Sequence, residues 1–358
     1  MRLLRFIRFV AITMIYGFIS CSLLIFHGPF PNVKLFIVDS LTTSMHGYLL
    51  RPLSMYTLPV SYISAHAPQL RNTKVRTSPV MAHMNYQSVH NNSIQVKTYN
   101  GKTFSAKIML IRDPKRLRVL VTKHLGNVGQ SVSTMAKEYG AVAAINGGGF
   151  RDGHYKGTGG IPIGITIADG KVVQSDNSKQ APVIGFTQQG AMIAGAYSLP
   201  QLKKLHVDEA LSFGPVLVQN GKGLMQGNGG WGYAPRAAIG QRKDGTIILI
   251  ETDGRTPQHV GATLTDVQNL MLQYGATVAV NLDGGSSTTL VENGKLINHP
   301  SDILGERKVA TAIAIMPEGW NSTSGSGSGS SSGTGSSSGN GTASGGGSSS
   351  GSGSSTGN

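Results

Sequence analysis

Cysteine is almost absent from this 358-residue chain, and Cys21 stands alone. An intrachain disulfide and a cysteine-built metal centre are therefore excluded. The histidines show no H-E-x-x-H or comparable ligand spacing, so a zinc-hydrolase helix is absent too. Ser286 and Ser287 lack a G-x-S-x-G elbow, which argues against a serine-hydrolase triad. Gly147–Gly149 lack the following Lys-Ser/Thr of a phosphate-binding loop and the spacing of a dinucleotide site. No metal or nucleotide signature remains, and no cofactor is assigned. A metal held by Asp253 and Asp283 would have no sequence signature of its own. Acidic residues are scarce, 17 against 31 basic ones, but the excess is local. Residues 1–123 hold 16 Lys/Arg and 2 Asp/Glu, leaving 15 of each in residues 124–358. The basic residues are dispersed and aromatic interleaving is thin, so nucleic acid is a poor partner. A basic segment beside a membrane suits anionic lipid or an anionic wall polymer, or simply solubilises a stalk.

What is present begins with one apolar run. Arg2, Arg5 and Arg8 precede an uncharged stretch from Phe9 to Phe26, followed closely only by Lys34 and Asp39. The length suits a bilayer-spanning helix, and the charge bias puts the N-terminus in the cytoplasm. The expected order is a cytoplasmic basic N-terminus (1–8), a transmembrane signal-anchor (9–26), a stalk or linker (27–92), an extracytoplasmic domain (93–319) and a tail (320–358). A cleaved signal peptide is the rival, and Phe18-Ile-Ser-Cys21 offers a lipoprotein version of it. Leu23–Phe26 continue the run past the cysteine and favour an uncleaved anchor in the cell membrane. Leu35–Leu53 is apolar enough for a short helix lying near the membrane or packing on the domain. The tail is almost wholly Ser, Gly, Thr and Asn, which cannot offset its ordering entropy and predicts flexibility.

Regular structure is expected from Ser93. Ile94–Tyr99 and Thr103–Ile111 alternate around Asn100-Gly101, a β-hairpin pattern. A helix–strand unit then occurs twice at an offset of 135: Val132–Tyr139 with Gly140–Ile145, and Val267–Tyr274 with Gly275–Val280. Each strand ends on an asparagine, Asn146 or Asn281, and each unit runs into a hairpin, at Asp169-Gly170 or Asn293-Gly294. Strands dominate the text between and after the units. The expected class is α+β, a mixed β-sheet core with few helices and two pseudo-repeated helix–strand–turn–hairpin units. If the halves pair, both polar strand ends face one cleft.

Those strand ends carry the candidate chemistry. Asn281-Leu-Asp-Gly-Gly-Ser-Ser-Thr-Thr289 packs an amide, a carboxylate and four hydroxyls around two glycines. The glycines allow close ligand approach, and the side chains suit an oxygen-rich ligand. Arg236, Arg255 and Arg307 lie beside the polar turns in sequence. Arginine pairs with carboxylate or phosphate and stays charged, so the ligand is expected to be anionic. Surface ion pairs, Asp253 with Arg255 and Glu306 with Arg307, are the plainer explanation.

Six segments follow in order: Ala144–Phe150, Gly159–Ile165, Arg236–Gly240, Asp253–Arg255, Asn281–Thr288, and Asn298–Ser301 with Glu306–Val309. Over about residues 95–316 this set resembles the phosphodiester glycosidase family, whose bacterial members often carry an exopolysaccharide-biosynthesis label. Ser286 and Leu290 stand where glycine and methionine are common in that family. The resemblance implies hydrolysis of a sugar-1-phosphodiester, of the N-acetylglucosamine type, on cell-surface or exopolysaccharide glycans. The leaving phosphate needs little acid help. The site must then bind phosphate, stabilise an oxocarbenium-like sugar and supply a carboxylate. Asp283 is the preferred carboxylate and Asp253 the second. Arg236, Arg255 and Arg307 would bind phosphate, and Asn146, Asn281, Ser286, Ser287 and Thr288 the sugar hydroxyls or phosphate oxygens. Two other readings stand beside this one: a non-catalytic binding module for an anionic wall polymer, and a transferase that builds a phosphate-containing exopolysaccharide.

Overall fold

The computed structural model describes residues 2–43, 47–66, 79–151, 159–176, 180–256, 259–302 and 305–320. The expected flexible tail beyond 320, linker residues 67–78 and His154 lie outside the described residues.

Three antiparallel sheets form the body. The largest has seven strands, in spatial order Ile94–Asn100, Ser105–Ile111, Ile247–Thr252, Arg236–Arg242, Ala276–Asn281, Val216–Gln219 and Lys222–Gly223. A second sheet runs Lys295–Leu296, Leu290–Glu292, Ala143–Asn146, Thr311–Ile315 and Leu117–Val121. The third contains Met192–Tyr197, Ala181–Thr187, Val207–Leu211, Ile165–Ala168 and Lys171–Ser175. Strands such as Ile247–Thr252 are buried at every position, and apolar over the first four, because both faces are covered. Side chains alternate across a strand, so Ile247 and Leu249 enter the core between the sheets, with Met109, Ile145, Ile184 and Ile313. Ile248 and Ile250 point the other way, onto Leu264, Val267 and Met271 of the helix Leu264–Gln273. The helix Val132–Tyr139 covers the second sheet in the same manner, burying Val132, Met135 and Ala136 against Ala144, Ala312 and Ala314. The class is α+β.

Both helix–strand units form. The first helix is capped by Ser131, whose side chain accepts from the Thr134 N–H, and ends at Gly140 with φ 70°. The second starts three residues earlier than its apolar pattern suggests, at a Thr263–Asp266 capping box. Their hairpins diverge. Leu290–Glu292 and Lys295–Leu296 join the second sheet beside Ala143–Asn146. Ile165–Ala168 and Lys171–Ser175 instead join the third sheet. At the first hairpin, Asn100 pairs with Ser105, so the connection is Gly101–Phe104 rather than a two-residue turn at Asn100-Gly101.

Ahead of the sheets, Arg2–His27 is a helix long and apolar enough to cross a membrane or to serve as a signal sequence. Its last turn meets the helices Pro31–Thr43 and Val60–His66 in a small separate cluster of Phe26, Val38, Leu50 and Leu58. The segment before Ser93 also touches the sheets. Tyr86 donates from its hydroxyl to the Lys243 carbonyl at 3.1 Å and from its backbone to that of Gln189 at 2.9 Å.

Candidate active site

Antiparallel pairing brings one set of strand ends together: the C-terminal ends at Asn146, Thr252 and Asn281, and the N-terminal ends at Ser105, Arg236, Leu290 and Thr311. The polar residues absent from the strands collect there. The echo at Asn146 faces the main turn. Asn146 is fully buried; its amide donates to the Asp283 carbonyl at 2.7 Å, and its Oδ1 accepts the Thr289 N–H at 3.1 Å. The Asp283 N–H in turn donates to the Gly147 carbonyl at 3.2 Å. Asn146 thus clamps both legs of the turn. Asn281, also buried, donates to the Gly214 carbonyl at 3.1 Å, and its Oδ1 is buried with no hydrogen-bond partner among the described residues.

Asp283 itself is half-buried, with Oδ1 accepting the Gly284 N–H at 3.0 Å. After it the chain makes a short 3-10 turn, Gly285–Ser287. Gly285 has φ 65°, and a Cβ there would meet the Arg255 guanidinium at 3.0 Å. Glycine is required on both counts. Arg307 reaches the same turn, donating to the Ser286 hydroxyl at 3.1 Å and lying over the Phe150 ring at 5.1 Å. Ser287 and Thr288 are buried, and the Thr288 hydroxyl donates back to the Gly285 carbonyl. Ser301 donates to that carbonyl as well, at 3.2 Å.

The three arginines converge but differ in use. Arg236 is buried, and its guanidinium donates to the carbonyls of Trp231, Gly232 and Ala262 at 2.7–3.2 Å. Burial pulls it down to about 10, with Asp39 opposing and the like charge of Arg255 adding to the fall. Burial also lowers Arg255, against the attraction of Asp302 and with the repulsion of Arg307. Each of the three guanidinium groups thus lies close enough to another to feel its charge. Glu306 does not pair with Arg307; its carboxylate accepts from the Ser133 N–H at 3.0 Å and from the Ser133 hydroxyl, at the start of the helix Val132–Tyr139.

The Asp253 carboxylate is engaged on both oxygens. Oδ1 accepts the Ser105 N–H at 2.6 Å; Oδ2 meets the Ser105 hydroxyl at 2.6 Å and the His259 ring at 3.0 Å. This network fixes the loop that presents Arg255, whose N–H donates to the Val260 carbonyl at 3.3 Å.

Sequence reading passed over one acidic group beneath the site. Glu251 is buried on the core face of Ile247–Thr252, and burial pushes its carboxyl up to about 8, opposed by the Asn298 hydrogen bond. Asn298 donates to Glu251 at 3.0 Å and to the Thr288 carbonyl at 3.1 Å, and accepts the Leu290 N–H at 2.8 Å. The only signal was its phase: in Ile-Ile-Leu-Ile-Glu, the glutamate falls inward with Ile247 and Leu249. Among the described residues no group of three or more His, Cys, Asp or Glu is placed to hold a metal ion. A hollow of about 360 Å³ by Lys115, Arg118 and Trp320 lies at the opposite strand end, near Met316. Lys115, Arg116 and Arg118 donate there to backbone carbonyls.

A carboxylate, two glycines and an arginine cluster at converging strand ends of a β-rich α+β domain have the chemistry that suits a phosphate-bearing, hydroxyl-rich ligand. The comparisons narrow this. A family model described as "Phosphodiester glycosidase" matches residues 139–316. The chain is 28% identical over 249 residues to mouse N-acetylglucosamine-1-phosphodiester alpha-N-acetylglucosaminidase, covering 62% of this chain and 47% of the mouse protein. It is 32% identical over 201 residues to the SPbeta prophage-derived uncharacterized protein YomE of Bacillus subtilis (strain 168), covering 52% of this chain and 29% of that one. The zebrafish catalytic domain of the same glucosaminidase, auto-inhibited by its pro-peptide, superposes with a TM-score of 0.54 at 26% identity. That match covers 65% of this chain and 86% of the zebrafish one. The chain belongs to the phosphodiester glycosidase family, through its residues 139–316. It spans less than half the length of these curated relatives.

Proposed function

We propose that this protein hydrolyses a sugar-1-phosphodiester, with the turn Asn281–Thr289 as its centre. The observation that carries the reading is that Arg255 and Arg307 both reach the Gly285–Ser286 turn that follows Asp283. Two guanidinium groups there suit the two non-bridging oxygens of a phosphodiester. Arg236 adds positive field from below and holds the Trp231–Pro235 loop.

In the reaction, the bond between the sugar C1 and the phosphate oxygen breaks, and the electron pair leaves with the phosphate. Water supplies the new hydroxyl at C1 and releases a proton. The products are a free sugar and a phosphate monoester. Asp283 faces the positive charge that develops at C1, and Arg255 and Arg307 take up the charge on the leaving phosphate. The anomer released reports the role of Asp283: retention marks a nucleophile, inversion a base. The substrate class is that printed in the names of the mammalian relatives, an N-acetylglucosamine-1-phosphodiester. An exopolysaccharide or other surface glycan is a fitting carrier if the helix Arg2–His27 holds the domain outside the membrane.

The test is incubation of the protein with the methyl-phosphate diester of N-acetylglucosamine. Free sugar is expected from the wild type, and at least 100-fold less from Asp283→Ala with an unchanged melting curve. Tight binding without product would favour the wall-polymer module, and sugar moved to an added acceptor would favour the transferase.

A further inference from the structure

Two features outside the site meet at one contact. The first is where apolar surface is exposed. Beyond the helix Arg2–His27, the membrane-proximal segment exposes Phe30, Val33, Tyr48, Leu53, Tyr56 and Val60 by 38–71%. From residue 79 onward, the described residues expose only Leu125, Val172 and Leu296 among large hydrophobics. Aromatic side chains with a polar end concentrate at membrane–water interfaces, and two of the six are tyrosines. Arg51 and Lys34 lie among them, over the Tyr56 and Tyr62 rings at 5.0 Å each, where they can meet anionic headgroups.

This segment is joined to the long helix. Ser22 donates to the Leu53 carbonyl at 2.8 Å, His27 meets the Thr57 hydroxyl at 2.7 Å, and Phe26 is buried with Val38, Leu50 and Leu58. A signal peptidase cut after the long helix would uncover that cluster. The helix is built in.

The second feature is Asp39, next to Val38 and 1% exposed. Its Oδ2 accepts the Tyr233 N–H at 2.9 Å, its Oδ1 meets the His66 ring at 2.5 Å, and a Cβ on Gly232 would strike its carboxylate. Gly232 is the residue whose carbonyl holds Arg236, and the Pro235 carbonyl accepts the Gly285 N–H of the site turn at 2.9 Å. Val38 and Phe26 lie in one buried cluster, so the helix that carries Asp39 packs against the long helix. The strand ends that carry the site are thus tied to the point where the chain leaves the bilayer.

We propose that Arg2–His27 is a retained anchor, and that the Asp39 clasp holds the mouth of the site at the membrane surface. The substrate is then a sugar-1-phosphodiester whose other ester is a lipid in the same bilayer. This rests on the hydrolase reading above. Cleavage follows the same balance: the C1–O bond breaks, water adds to C1, and the lipid phosphate monoester stays in the membrane.

The experiment uses the full chain in phosphatidylcholine–phosphatidylglycerol vesicles. Three substrates are offered: N-acetylglucosamine-1-phosphate esterified to a long-chain alcohol in the same vesicles, that compound in separate vesicles, and the soluble methyl diester. The lipid substrate in the same vesicles should turn over at least tenfold faster than the methyl diester at equal total concentration. Asp39→Ala keeps the anchor but loses the clasp, and should cut that advantage about tenfold while leaving methyl-diester turnover within twofold. An undiminished advantage in Asp39→Ala, or no advantage in the wild type, overturns the proposal. Failure to cleave any of the three overturns the hydrolase reading instead. A second measurement needs no turnover. In Trp320→Phe the remaining tryptophan, Trp231, adjoins the clasp. Energy transfer from it to a dansyl headgroup lipid should be strong and should fall in Asp39→Ala; weak transfer before that substitution also overturns the placement.

Discussion

Glu251 and Glu209 show how two buried carboxyls with similar shifts differ in consequence. Burial raises each to about 8. A carboxyl raised in the folded state binds its proton through the range where the unfolded chain has released it. Stability is therefore greatest below the ordinary value near 4.5, declines as pH rises toward 8, and is flat above. Each raised group costs up to about 5 kcal/mol across that window. Glu251 accepts one bond, from the Asn298 amide, which a glutamine oxygen can also accept. Glu251→Gln should therefore melt higher than wild type at pH 8 and nearly level with it at pH 5. Glu209 differs because both its oxygens accept backbone N–H groups, from Val119 at 2.7 Å and Asp169 at 3.1 Å. A glutamine there turns its NH2 onto one of those donors and leaves a buried N–H unpaired, a cost of about 1–3 kcal/mol. Glu209→Gln should melt lower than wild type at pH 5. Thermal melts of both variants at the two pH values check the pair; a stabilised Glu209→Gln at pH 5 would contradict the geometry. Neither glutamate was legible as a buried acid from sequence. Burial of a charged residue follows from tertiary cover on both strand faces, which the local pattern does not encode.

At the scale of elements, the helix–strand units were legible because their ends carry local chemistry: a capping serine or threonine, and a glycine where the helix stops. The strands Met192–Tyr197 and Val207–Leu211 were not. The first is a run of small residues interrupted by Gly195 with φ 128°, and the second mixes two acids into its alternation. Both are strands because each pairs with Ala181–Thr187, the first as its hairpin partner and the second along its other edge. The order of strands in each sheet is likewise a tertiary fact. Two helix caps separate stability from function. Thr263→Ala removes the cap of Leu264–Gln273 and should cost about 1 kcal/mol, with methyl-diester turnover unchanged. Glu306→Ala removes the acceptor from the Ser133 N–H and sits next to Arg307. It should lower stability by a similar amount and also raise KM severalfold, because Arg307 loses its fixed neighbour. Paired melts and kinetics distinguish the two, and equal KM values would show that Glu306 serves the helix alone.

For the whole molecule, the sheets carry their own cores, and the membrane-proximal cluster is separate from them. This sets apart two truncations that a sequence count would treat alike. Removing residues 1–27 deletes Phe26 and bares Val38, Leu50 and Leu58. Each buried apolar side chain of this size contributes about 1.5–3 kcal/mol, so the remaining segment keeps an apolar face with no cover. That variant should self-associate or require detergent. Removing residues 1–66 takes the whole cluster away, together with Asp39 and His66, and leaves the Tyr86 contacts and all three sheets intact. It should be a soluble monomer by light scattering, should melt within a few degrees of the full chain, and should keep methyl-diester turnover while losing any preference for a lipid substrate. Aggregation of the longer truncation with a soluble shorter one would invert this order. It would mean that the sheets depend on the membrane-proximal helices for cover, and that Asp39 secures the fold of the Gly232–Tyr233 loop rather than its place at the bilayer.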